Sequence, residues 1–153
     1  MTVDETLDPI LIQVTVPLPI PMIFAGFTDP GQIVGWLADG AEVEARVGGR
    51  YELRWSGSEP FESRGTVLGL TPDLDLRFSW LGPPPFAALM NGPPPATEVY
   101  VRLQESPEGI DITLEHQGWQ SGEAWEAARS WHFHFWDERL HGLKDFLLKS
   151  AYG

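Results

Sequence analysis

Between Ser121 and Lys149 the chain reads SGEAWEAARSWHFHFWDERLHGLKDFLLK. Trp125, Ala128, His132, Trp136, Leu140, Leu143 and Phe146 or Leu147 recur at spacings of three and four, so at about 100° per residue they share one face of a long helix. Asp137, Glu138, His141, Lys144 and Asp145 share the other. Ser121 suits the N-cap, Glu123 and Glu126 fall where the helix dipole favours negative charge, and Lys144 and Lys149 fall near the end that favours positive charge. So broad an apolar stripe needs an apolar partner of matching width. The preceding chain offers one in a series of period-two runs, which predict an antiparallel sheet curved around the helix.

Working back from the helix, Ile110, Ile112, Leu114 and His116 alternate on one face of a strand, and Val99, Val101 and Leu103 do so within Thr97 to Glu105. Leu74 to Trp80 places Leu74, Leu76, Phe78 and Trp80 on one side, after a Pro72-Asp73 turn. Glu62 to Leu70 is a further strand. Glu42 to Arg46 and Arg50 to Trp55, joined at Gly48-Gly49, read as a hairpin with Tyr51, Leu53 and Trp55 facing inward. Ile10, Ile12, Val14 and Val16 mark a first strand ended by Pro17, Pro19 and Pro21. Pro19 or Pro21 can open a short helix carrying Phe24 and Phe27, and Thr28 or Asp29 before Pro30 can cap a second through Trp36 and Leu37. No βαβ alternation and no internal repeat is present, which argues against a doubly wound parallel fold.

One segment breaks the rhythm. Gly82 to Pro95 holds six prolines in two triplets around Phe86-Ala-Ala-Leu-Met90. Proline triplets stiffen a chain as polyproline II, so this reads as a rigid-armed loop presenting an apolar tip or a helical turn. It is a candidate lid or partner contact.

At 153 residues, 42% hydrophobic and 12% aromatic, the chain is one domain, 1–153, with a real core. The net charge is −12 and no Lys or Arg precedes Arg46. Nucleic acid and anionic membranes would be repelled, so neither is an expected partner. The sequence has no cysteine, hence no thiol chemistry. The N-terminus lacks a signal-peptide pattern and no apolar run reaches membrane-spanning length, so a cytoplasmic location is expected.

The order of strand, two short helices, antiparallel strands and long last helix resembles the SRPBCC or START/Bet v 1-like superfamily, the α+β helix-grip fold. Within it the chain is most similar to proteins like the activator of the Hsp-90 ATPase. Phe24-Ala-Gly-Phe-Thr-Asp-Pro30 with Ile33 and Trp36, Val47-Gly-Gly-Arg-Tyr-Glu-Leu53, and Gly118-Trp119 with the final helix carry the likeness, over residues 10 to 150. The Pro-rich insertion and His132-Phe-His134 depart from the usual pattern. The resemblance implies a cavity between sheet and helix that holds lipids, sterols, polyketides or other apolar molecules. Some members are enzymes, and the eukaryotic namesake binds a chaperone, which links the family to stress response. Fold alone does not choose among these.

The expected cavity is lined by Trp36, Tyr51, Leu53, Trp55, Phe78, Trp80, Val101, Leu114, Trp119, Trp125, Phe135 and Trp136. His116 and His132 lie on apolar faces, with Arg139 two turns beyond His132. Buried polar groups need partners, so these three are the expected polar anchors, and the histidines are the candidate acid and base if the protein is an enzyme. Tyr51 could donate to a carbonyl. His134, Glu138 and His141 share a helix face at i, i+4 and i+7, but that face is the solvated one, and no metal or other cofactor is assigned. Three roles follow in order: binding of a hydrophobic or aromatic small molecule; cyclase-like or hydrolase-like catalysis through the histidines; and action on a protein partner through the Pro-rich loop. Trp131 and Phe133, flanking the stripe, offer a surface to a second subunit.

Overall fold

The computed structural model describes residues 6–153. Strand β1 (Ile10–Val16) leads into α1 (Ile20–Thr28) and α2 (Pro30–Ile33), then β2 (Gly40–Val43), β3 (Arg50–Trp55), β4 (Phe61–Thr71) and β5 (Asp75–Trp80). A 3-10 turn at Pro84–Phe86 runs into α3 (Ala87–Met90), followed by β6 (Thr97–Ser106), β7 (Gly109–Gln117) and α4 (Glu123–Tyr152). The strands form a seven-stranded antiparallel sheet in the order β1-β7-β6-β5-β4-β3-β2. β1 and β2 therefore sit at opposite edges, and α1 and α2 carry the chain from one to the other.

Period-two alternation puts Tyr51, Leu53 and Trp55 of β3, Leu76, Phe78 and Trp80 of β5, and Val99, Val101 and Leu103 of β6 on the inner face. α4 lays Ala128, His132, Trp136, Leu140, Leu143 and Leu147 against them, all fully buried. Each buried leucine of that stripe contributes about 2 kcal/mol by removal from water. This is the helix-grip architecture the sequence predicts. Leu147 rather than Phe146 continues the buried stripe, and Phe146 instead packs half-buried where Gly35 leaves room for its ring.

Gly65 shows how tightly the sheet is drawn. A side chain there would run into the carbonyl of Ser79 on β5, with the carbonyl of Tyr51 only 3.1 Å from the added carbon. Backbone on both sides cannot move aside, so Gly65→Ala is expected to destabilise the fold by about 1–3 kcal/mol. Denaturant melts of the two proteins would measure it.

Several local expectations are corrected. α4 starts at Glu123 with Gly122 at the N-cap, φ 115° and no side-chain cap; Ser121 lies one residue too early to reach the helix. The helix also runs past Lys149 to Tyr152. α2 ends at Ile33, short of Leu37, and Trp36 turns inward so that its indole N–H donates to the carbonyl of Gly26 at 2.7 Å. Asp29, not Thr28, caps it, accepting from the N–H of Gly31. Gly48-Gly49 is not a two-residue turn. β2 ends at Val43, and a wider loop spans the gap, closed by Glu44, whose carboxylate accepts from the backbone N–H of Arg50 at 3.0 Å.

The Pro-rich segment takes the helical-turn form, but it does not present an apolar tip. Asn91 clasps Gly82 from both sides, accepting from its N–H at 2.6 Å and donating to its carbonyl at 3.0 Å. This folds the segment back, burying Met90 completely and turning Phe86 toward α4.

Candidate functional site

At the centre of the grip stands Trp80, the last residue of β5. Its ring lies 5.1 Å from Trp136 and 5.8 Å from His116, centroid to centroid. His116 comes from β7, where it pairs with Ile10 on one side and Val99 on the other. His132 comes from α4, and the two imidazoles meet edge to face at 5.4 Å. The two histidines singled out by their apolar-face positions are thus brought together, fully buried, inside an aromatic box.

Their protons follow from their partners. The indole N–H of Trp80 donates to His132 Nε2 at 3.0 Å, so that nitrogen is an acceptor. His132 Nδ1 then carries the proton and donates to the carbonyl of Ala128 at 2.7 Å. The indole N–H of Trp136 donates to His116 Nδ1 at 2.9 Å, leaving His116 Nε2 to donate to Thr97 Oγ1 at 3.0 Å. Trp119 donates to the carbonyl of His116 at 2.8 Å. Both rings are neutral, with each nitrogen engaged. Burial pushes His132 down to about 4, against a smaller opposing effect from the Ala128 carbonyl. Burial, and then the neighbouring His132, hold His116 well below the ordinary histidine value.

Most of the expected lining residues fall into three groups. Tyr51, Leu53, Phe78, Val101 and Leu114 pack directly together between sheet and helix; Tyr51 and Phe78 stack at 3.9 Å, and the Tyr51 hydroxyl donates to the carbonyl of Phe27 at 2.7 Å. Burial holds that phenol above its ordinary value. Trp80, Trp119, Trp136, His116 and His132 form the polar-aromatic box. Trp36, Trp55 and Arg139 lie at the α2–β2 corner, where the Trp55 indole donates to the carbonyl of Leu37 at 3.0 Å. Trp125 sits half-buried, edge-on to Trp119. The seven tryptophans are thus partly accounted for by N–H bonds inside the core.

Arg139 is not an anchor beside the histidines. Seven residues along a helix is a rise of about 10 Å, and its guanidinium instead donates from Nε to the carbonyl of Leu37 at 3.2 Å. It lies 4.7 Å over the ring of Phe135, which in turn stands 6.0 Å from Trp80. One aromatic chain therefore connects Arg139 to the box without direct contact.

One wall of the box reaches the surface. Phe86 of the Pro-rich segment packs at 6.0 Å from Trp131 and 6.1 Å from His132, and Trp131 stacks on Phe135 at 5.3 Å. Trp131 is 38% exposed. Buried side chains crowd the space between sheet and helix, and concavities open at the surface. One of about 690 Å³ opens between Thr6, Leu7, Pro9 and the Pro94-Pro95 arm, over the outer-face residues Thr66, Leu68, Ser79, Glu98 and Gln117. Two smaller ones, about 320 and 330 Å³, meet at Arg139. Among the described residues no three His, Asp or Glu side chains converge as metal ligands. Nor is any helix there long and apolar enough to cross a membrane.

Thr97 and Phe86 were not among the expected site residues. Thr97 was legible, being in step with Val99 and Val101 on the apolar face of its strand. Phe86 was not, because proline-rich segments carry no periodicity that says which side turns inward.

The comparisons agree with this geometry. The family model described as activator of Hsp90 ATPase homolog 1-like protein matches residues 17–147. A solved structure of a Mesorhizobium loti protein superposes with TM-score 0.76 at 19% identity, covering 92% of this chain and 97% of that one. A Nitrosomonas europaea protein gives 0.75 at 19%, covering 94% and 96%. The AHSA1-like protein from Aeromonas hydrophila gives 0.73 at 19%, covering 94% of each. No curated protein sequence matches this chain. With a family model spanning most of its length and a fold that superposes throughout, the chain belongs to the activator of Hsp90 ATPase homolog 1-like family, within the SRPBCC superfamily.

Proposed function

We propose that this protein binds an apolar, ring-bearing small molecule, lipid-like or polyketide-like, between the sheet and α4, admitted by displacement of the Phe86, Trp131 and Phe135 wall. The fold is one that commonly holds hydrophobic ligands. The observation that carries the reading is the neutral His116 and His132 pair set in an aromatic box behind that partly exposed wall. A ligand that displaces Phe86 meets the His132 ring. Its rings then pack on the neutral imidazole and the indoles around it, so apolar burial supplies affinity and the shape of the aromatic box supplies selectivity.

Cyclase-like or hydrolase-like catalysis would need a ring nitrogen free to exchange a proton with substrate. All four are engaged within the protein, so the geometry lends that reading no support. A protein-partner role through the Pro-rich segment is favoured by no specific contact, since Phe86 and Met90 turn inward.

The test is native mass spectrometry of protein purified from its own host, followed by denaturing extraction. A retained apolar molecule is expected, and Phe86→Ala should exchange it at least about tenfold faster by opening the wall. Wild-type protein that takes up no apolar molecule, even when offered naphthalene- and sterol-based probes, would overturn the proposal.

A further inference from the structure

Trp131, Phe135 and Arg139 stand at i, i+4 and i+8 on α4, one step beside the buried stripe, and so form a second row facing the rim. The row is built rather than incidental. Trp131 and Phe135 stack with planes 14° apart, and the guanidinium of Arg139 lies over Phe135. Nε is pinned on the carbonyl of Leu37, which fixes the plane of the fork. Nη1 reaches only Glu138, at 3.4 Å, a neighbour on the same helix that is 80% exposed and so screened by water. Among the described residues Nη2 makes no hydrogen bond. Both small rim cavities are lined by Arg139, one with Trp55 and Ser56, the other with Trp131 and Phe135.

A guanidinium held in one plane with open donors is suited to a planar anion, which it can grip with two parallel N–H bonds. An aromatic row beginning at that cation and running to the His132 end of the box is suited to an apolar body. We propose that the molecule bound by this protein carries a carboxylate, which pairs with Arg139 at the rim while its ring system passes Phe135 and Trp131 into the box. This rests on the reading of the protein as a binder of apolar molecules and names the head group that reading leaves open. The acidic groups facing the site are Glu138 and Asp39, and Asp39 is already engaged, its carboxylate accepting from the N–H of Ser56 at 2.7 Å. The net charge of −12 opposes an anion at long range, but beyond about 10 Å it is screened at 0.1 M salt.

The experiment is calorimetric titration with three probes of one shape: 2-naphthoate, 2-naphthamide and 2-naphthylmethylammonium. Wild-type protein should bind the carboxylate at least about tenfold tighter than the amide, with the ammonium weakest. Arg139→Gln should bring carboxylate and amide to near equality, and Arg139→Lys should retain part of the preference because it keeps the charge and loses the fork. A thermal melt of each variant shows that the fold is intact. If wild type binds amide and carboxylate equally, or if the preference survives in Arg139→Gln, the carboxylate assignment falls while the apolar-ligand reading stands. If none of the three probes binds, the carboxylate assignment falls, and the apolar-ligand reading falls with it only if a sterol-based probe is refused as well.

Discussion

Lowering the pH from 7 to 4 is expected to remove about 3 kcal/mol of folding stability through His132 alone. The unfolded imidazole takes up a proton near pH 6.5, whereas the folded one resists until about pH 4 because burial disfavours its charge. Between those values the unfolded state binds more protons, so the stabilising contribution is fully present above pH 6.5 and is lost as the pH falls through that window. His116, shifted in the same direction by deeper burial, adds to the loss. Among the described residues neither imidazole contacts a carboxylate that could compensate its charge; the histidine paired with an acid is His141, on the surface. Urea melts at pH 7, 5.5 and 4 on wild type and His132→Gln would check this. Glutamine can still accept from Trp80 but does not titrate, so its profile should be flatter by about that amount. Parallel profiles would show that His132 is not the group responsible.

Trp80→Ala is expected to cost about 3–5 kcal/mol, the price of a large cavity in a packed core. It also leaves His132 Nε2 without its donor. Against the 5–15 kcal/mol typical of a whole domain this is a severe loss. Trp80→Phe goes part of the way to separating the two contributions, because it keeps a ring in place while removing the N–H and the second ring's volume, and should cost about 1–3 kcal/mol. His132→Phe orphans the same bond from the other side, and the buried indole N–H of Trp80 then has no acceptor. The double variant removes both partners, so its destabilisation should fall short of the sum of the singles. Denaturant melts of the four proteins measure the coupling, and strict additivity would mean that the bond contributes nothing.

Most of the architecture could be read from periodicity. The stripe from Ala128 to Leu143, the inner faces of the strands, and the two proline-opened helices depend on local spacing and local backbone preference, and these are written residue by residue. His116 and His132 stood out by the same means, as polar residues at apolar positions. The start of α4 was misread because capping depends on where the backbone turns, and Gly122 at φ 115° makes that turn rather than Ser121. Arg139 was misplaced because a shared helix face does not mean a shared neighbourhood: two turns carried it out of the box and onto the carbonyl of Leu37.

By itself the sequence determined an α+β grip of sheet on helix, an acidic surface, and two histidines that had to find partners out of water. Only the tertiary structure decided who those partners are. Trp80 and Trp136, 52 and 20 residues from the rings they donate to, set both tautomers. Asn91 turned the Pro-rich segment so that Phe86 closes the wall. The reason is physical: periodicity is a property of neighbours along the chain, whereas hydrogen-bond satisfaction in a dry core is settled between residues that only folding brings within 3 Å.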